Sequence, residues 1–219
     1  MYHHIADPPT GAGGSAAQLY VRPEAFEEQM AYLAEADYDL IAAGELAAAL
    51  MGRRGLPPEP AVLTFDDGYS DFRTRAWPVL QRHGFAATLL ISTGAVGTAN
   101  HLTWDELREL HAAGVEIASH GVTHRSLTAL DRQTMARELA DSKRLIEAEI
   151  GAPVRVFAYP AGTYDPNVIA ATAAAGYEAG LTADLGFIQG TARPYELKRS
   201  RIKLRHDLAL FQARIGADQ

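Results

Sequence analysis

Ala61-Val62-Leu63-Thr64-Phe65-Asp66-Asp67-Gly68 decides the fold: an apolar run of strand length stops at two carboxylates and a glycine. A second run, Val115-Glu116-Ile117-Ala118-Ser119, stops at His120-Gly121-Val122-Thr123-His124. Each pair of polar side chains falls where a strand gives way to a loop, so strands can hold the geometry while their ends converge. Adjacent residues at a strand end point in different directions, and two successive carboxylates repel each other unless a cation lies near. Two His and one Asp suit a divalent metal ion with open positions, which leaves the second Asp free as a base. His120 and His124 are four apart, and one helical turn would bring both rings to one side. A lone Asp-Asp-Gly also reads as a surface turn, and a lone His pair as a helix surface; each gains meaning from the other.

Outward from these segments, strand and helix signals alternate. Strand-like runs occur at Tyr2–Ile5, Tyr38–Ile41, Ala61–Phe65, Ala87–Ser92, Val115–Ser119, Val154–Tyr159, Tyr177–Leu181 and Arg201–Leu204. Pro23 to Ala36 opens on proline and places Phe26, Met30 and Leu33 on one helical face. Thr103-Trp104-Asp105-Glu106 is a capping box, and that helix stops at Gly114. Asp131 to Ile150 stops at Gly151, and Asp165 to Ala175 at Gly176. Repeated αβ units with chemistry at the strand C-termini predict a distorted (β/α) barrel of seven or eight parallel strands.

The 219 residues, 47% of them hydrophobic, are enough for one domain spanning 1–219. A net charge of -7 and a pI near 5.6 argue against nucleic acid as partner. There is no cysteine, so any metal must be held by His and carboxylates. Met1-Tyr2-His3-His4-Ile5 lacks the pattern of a signal peptide, and no stretch reaches the ~18 apolar residues of a membrane span. These features predict a soluble chain, cytoplasmic or the mature part of an exported precursor, with no transmembrane segment. They are silent on oligomeric state.

A third constellation is Arg155-Val156-Phe157-Ala158-Tyr159-Pro160-Ala161-Gly162-Thr163-Tyr164. A strand ending in Tyr-Pro-x-Gly forces a tight loop whose backbone N–H groups can face a developing oxyanion; by itself it is also an ordinary strand-to-helix turn. In this order the three segments resemble the polysaccharide deacetylases of carbohydrate esterase family 4, which carry the NodB homology domain. The Phe26-Glu27-Glu28-Gln29-Met30 helix, Leu102-Thr103-Trp104-Asp105-Glu106-Leu107 and Ser126-Leu127 after the His pair agree as well. The resemblance runs from Tyr2-His3 to about Phe211 and is closest to the poly-N-acetylglucosamine deacetylase branch.

The resemblance implies a NodB-like barrel that hydrolyses N-acetyl groups of an amino-sugar polymer or glycoconjugate. It makes Asp66 the base and Asp67, His120 and His124 the ligands of a divalent ion, zinc first, with cobalt or nickel as alternatives. Ala161 becomes the backbone oxyanion donor, and Tyr159, Pro160, Gly162 and His3 line the substrate. The proton for the leaving amine falls to His206, to His3, or to Asp66 returning what it took. Three departures stand out. Gly121 replaces a Ser or Thr that braces the His loop, and Ala158 replaces an Arg that pairs with the base. Leu204-Arg205-His206 only loosely echoes the family's Leu-x-His. An amidase of the same fold acting on a small non-sugar amide is the alternative function, and a catalytically silent carbohydrate-binding module the third.

Overall fold

The computed structural model of the chain describes residues 1–187 and 189–216. The chain opens with β1 (His4–Ile5), helix α1 (Gly14–Ala17) and β2 (Tyr20–Val21), which lies parallel to β1. Helix α2 (Pro23–Glu35) starts on its proline and buries Phe26, Met30 and Leu33, as its spacing predicts. β3 (Asp39–Leu40), α3 (Ala43–Leu50) and β4 (Pro60–Ala61) follow, and β3 pairs with β4 alone. The main sheet is parallel and ordered as the sequence: β5 (Thr64–Asp67), β6 (Thr88–Ile91), β7 (Glu116–Ser119), β8 (Val156–Ala158) and β9 (Ala179–Leu181). The connections carry a π-helical turn (Phe72–Ala76), α4 (Trp77–His83), α5 (Trp104–Ala112), α6 (Arg132–Ile150) and α7 (Pro166–Ala174), and α8 (Leu208–Ile215) ends the described chain.

Hydrogen bonding continues past both edges of this sheet and curls it toward a barrel. Tyr2 bridges Phe65 of β5, with Tyr2 N donating to Thr64 O at 2.8 Å and Asp66 N to Tyr2 O at 3.0 Å. On the far edge Leu197 bridges Leu181 of β9. The chain between Leu197 and Ile202 then reaches the first residue: the terminal amine donates to Ser200 O, and Ile202 N to Met1 O, both at 3.0 Å. Five regular strands and two bridged segments thus make seven staves. Two of the expected strands differ. Tyr38–Ile41 pairs only with β4, outside the ring, and Arg201–Leu204 forms no strand. The segment at that seam divides its backbone bonds between β9 and Met1, so neither neighbour forms a regular ladder with it.

Capping follows local chemistry. Thr103 and Glu106 exchange the two bonds of a capping box, and Asp131 and Asp165 accept from the first turns of α6 and α7. The larger apolar core lies between sheet and helices, around Phe26, Phe65, Phe72, Leu80, Leu89 and Leu139. A smaller one fills the ring: Ala43 and Ala47 of α3 pack on Leu90, Ala118, Val156 and Ala158. Small residues on both sides let α3 close the barrel floor, where the half-buried Glu116 carboxylate accepts from Gly44 N and from Thr88 Oγ1. A Cβ on Gly44 would stand 2.2 Å from Glu116 Oε1, so this approach needs glycine. Among the described residues no helix is long and apolar enough to cross a membrane.

Candidate active site

Asp66 and Asp67 end β5 and diverge as expected of strand neighbours. Asp67 takes φ +76°, a left-handed conformation that costs ~1–2 kcal/mol for a residue with a Cβ. Its Oδ1 lies 3.1 Å from His124 Nε2 and 3.5 Å from His120 Nε2. Neither contact has hydrogen-bond geometry, so Oδ1 is a buried acceptor without a donor. One ligand atom from each of Asp67, His120 and His124 falls within 4.8 Å of the others.

The His pair reaches this point by a loop and not by a helical turn. β7 ends at Ser119, Gly121 has φ +88° and His124 φ +56°, and the two rings lie 4.8 Å apart at 67°. Gly121 brings no brace; Glu138 of α6 supplies it, accepting from Val122 N at 2.7 Å, Thr123 N at 2.9 Å and Thr123 Oγ1 at 2.6 Å. His120 Nδ1 is 2.8 Å from Ala158 O. A carbonyl can only accept, so Nδ1 carries the proton and Nε2 presents its lone pair toward Asp67 and His124. An orphaned carboxylate oxygen and an oriented imidazole lone pair at one point are what a divalent ion requires, and the residues fit such an ion.

Asp66 has a different partner. Arg199 Nη1 meets Oδ1 at 2.6 Å and Nη2 meets Oδ2 at 2.9 Å, and Arg199 Nε donates to Thr182 O at 2.8 Å. Arg199 thus gives Asp66 the guanidinium partner that Ala158 cannot supply. Its signal lay in the Lys-Arg-Ser-Arg run just before the apolar Ile202. That of Glu138 was a carboxylate set among Met135, Leu139 and Ser142 on the buried face of α6.

The charges at the centre act on one another. Burial pushes the Asp66 carboxyl up, but Arg199, with His120 and His3 adding, outweighs it and holds Asp66 well below the usual range. Asp67 is likewise lowered: burial raises it, and His124, His120 and His3 more than offset this. Burial lowers His120 against the pull of both carboxylates. His124 is raised by its contact with Asp67, with burial opposing. His3 is buried, its Nδ1 has no partner, and burial lowers its pKa to about 4 while Asp66 and Asp67 pull the other way.

The third segment separates into loop and core. Tyr159 is fully buried, its ring against Phe157 and its hydroxyl donating to Tyr195 O at 3.0 Å, and Pro160 is buried beside it. The Tyr159 side chain is spent on the core, while that of Pro160 is buried in the loop itself. Ala161 is exposed at φ +56°, and Gly162 must be glycine because a Cβ there would stand 2.4 Å from that of Ala183. Ser126 Oγ and Thr163 Oγ1, 2.6 Å apart, tie this loop to the His loop. His206 lies elsewhere. Its Nδ1 accepts from Lys203 N at 3.3 Å, its carbonyl accepts from Gln29, and the charges around it are Arg214, Lys203 and Asp207. Beside the centre runs a row of rings: Tyr69 lies between His4 at 3.7 Å and His101 at 4.9 Å, and His4 stacks on Tyr20 at 4.3 Å.

Fold and site together define a barrel hydrolase with a candidate metal centre at the C-terminal rim of its strands. The chain belongs to the polysaccharide deacetylase family, whose sequence profile matches residues 53–180. It is 32% identical over 203 residues to YxkH of Bacillus subtilis, which is classed with the polysaccharide deacetylases, covering 92% of this chain and 70% of that one. It is 30% identical over 167 residues to the chitooligosaccharide deacetylase of Sinorhizobium fredii, 75% of this chain and 72% of the relative. The poly-β-1,6-N-acetyl-D-glucosamine N-deacetylase of Escherichia coli is 34% identical over 118 residues, 47% of this chain but 18% of the relative. Among solved structures, the Streptococcus pyogenes deacetylase PplD in complex with acetate superposes with a TM-score of 0.88 at 26% identity. That match covers 98% of this chain and 94% of the other.

Proposed function

We propose that the chain removes N-acetyl groups from a β-linked amino-sugar glycan, with Asp67, His120 and His124 holding a divalent ion and Asp66 acting as base. The observation that carries this reading is the division between two neighbours: Asp67 converges on both imidazoles while Arg199 keeps Asp66 apart and ionised. An N₂O donor set suits zinc, with cobalt or nickel able to replace it. A divalent ion held there supplies Lewis acidity, polarising a carbonyl oxygen and lowering the pKa of water from 15.7 to about 7.

The chain's own groups do the rest. Asp66 accepts the proton of the water that attacks the acetyl carbon. Arg199 keeps Asp66 ionised and so able to accept, and the proton then passes on toward the leaving amine. His3 is the carrier we assign to that step: burial lowers its pKa to about 4, so it is neutral at rest. It takes the proton from Asp66 and hands it to the leaving amine, and its Nδ1 has no other partner. The Ala161 N–H faces the developing oxyanion, a donor whose loss typically costs ~3 kcal/mol. His206, anchored among Lys203 and Gln29, takes no part.

Two observations favour a glycan over a small enclosed amide. The centre is open, with the His124 side chain 46% exposed, and the ring row of Tyr20, His4, Tyr69 and His101 borders it. The names of the Escherichia coli and Sinorhizobium relatives make β-linked N-acetylglucosamine oligomers the first substrates to try. The test is acetate release from such oligomers, from peptidoglycan fragments and from simple acetamides, by wild type and Asp66→Asn. Release from an oligomer that Asp66→Asn abolishes is expected. Equal release by both proteins, or release from simple acetamides alone, would overturn the reading.

A further inference from the structure

A buried donor or acceptor without a partner costs a fold ~1–3 kcal/mol, so native chains keep few of them. Among the described residues three buried side-chain atoms are in this state: His3 Nδ1, Asp67 Oδ1 and Thr93 Oγ1. All three belong to residues at or just past the ends of neighbouring staves. His3 follows Tyr2, which bridges Phe65 of β5; Asp67 ends β5 in register with Ile91 of β6; Thr93 lies two residues beyond Ile91. Three adjacent staves thus each end in one unsatisfied atom, at the rim where Asp66, His120 and His124 also lie. The proposed reaction uses the first two atoms and leaves Thr93 without a task.

The backbone fixes Thr93 against the His loop. Thr93 N donates to Gly121 O at 3.0 Å, and Gly94 N to Val122 O at 2.8 Å. The preceding hydroxyl, Ser92 Oγ, donates to His120 O at 3.2 Å and is spent on the fold. Thr93 is 7% exposed, so its hydroxyl has lost bulk water and received nothing from the protein in exchange. If the residue only filled space, valine would fill it at lower cost. A hydroxyl donates and accepts, so it can pair with either end of an amide. The amide is the part of the substrate that must enter between the carboxylates and the His pair.

We propose that Thr93 Oγ1 hydrogen-bonds the substrate's acetamido group. This contact rests on the deacetylase reading. The test measures Thr93→Val and Thr93→Ser beside wild type and Asp66→Asn, for acetate release from a β-linked N-acetylglucosamine oligomer and for the thermal midpoint of the metal-free proteins. Expected is about a tenfold loss of kcat/KM in Thr93→Val, most of it recovered in Thr93→Ser. The metal-free midpoint of Thr93→Val should equal or exceed that of wild type, because no bond of the fold is lost. Wild-type kcat/KM in Thr93→Val would overturn the contact. A midpoint lowered together with activity would also overturn it, since a structural hydroxyl or one bound to internal water behaves so. If wild type releases no acetate while its folding is intact, the deacetylase reading falls and the contact with it.

Discussion

Arg199 and Asp66 stand 133 positions apart in sequence and meet through two parallel contacts of 2.6 and 2.9 Å, both side chains buried. Planar guanidinium and carboxylate match atom for atom, and Thr182 O and Thr64 Oγ1 take further Arg199 donors. The pair lets a carboxylate stay ionised under burial that would otherwise neutralise it.

Removing one partner should therefore cost more than removing both. Arg199→Met leaves a buried charge alone, with an expected loss of about 3–5 kcal/mol in urea unfolding, and Asp66→Leu/Arg199→Met should recover much of it. The folded pKa of Asp66 is depressed, so the pair's contribution is complete above the unfolded value near ~3.9 and is lost as pH falls through the folded one. Equal stability of the single and double variants would remove the pair from the fold's stability.

Metal content tests the other carboxylate. Asp67→Ala and His124→Ala should lose most of the zinc that wild type retains after dialysis, while Asp66→Asn keeps it. Added zinc should stabilise wild type by about 2.7 kcal/mol at a hundredfold excess over its dissociation constant, and the two ligand variants far less. Wild-type zinc occupancy in both variants would end the assignment.

Ala161 bears its proposed role through the backbone. At φ +56° it pays for a Cβ in the left-handed region, so Ala161→Gly should gain up to ~1 kcal/mol and keep its kcat. A large fall in kcat with an unshifted melting midpoint would show that the methyl group matters and the N–H does not suffice.

The barrel floor carries a pH dependence of its own. Burial raises the Glu116 pKa, against bonds from Thr88 and Gly44 and the charge of Arg155. Ionising it costs the fold, so its contribution is full below the unfolded value near ~4.3 and is lost as pH rises through the folded one. The stability difference between wild type and Glu116→Gln should shift against wild type across that window, and a difference constant with pH would refute this. Gly44→Ala, which sets a Cβ against Glu116 Oε1, should lose ~1–3 kcal/mol.

The sequence by itself determined what neighbours along the chain can decide. Apolar runs of strand length, Pro23 at a helix start, the Thr103–Glu106 box and the glycines after α6 and α7 report local backbone preferences, and these placed Asp66, Asp67, His120 and His124 at strand ends. Only the tertiary structure decided which groups face one another across the ring. It brought Arg199 to Asp66, Glu138 to the His loop and His3 beside both carboxylates, and it withdrew Tyr159 into the core and His206 from the centre. It also turned the expected helical step between His120 and His124 into a loop with two left-handed residues. The reason is physical: hydrogen-bonding preference and periodicity act over a few residues, whereas a buried charge finds its partner only when the barrel closes and sets distant strand ends side by side.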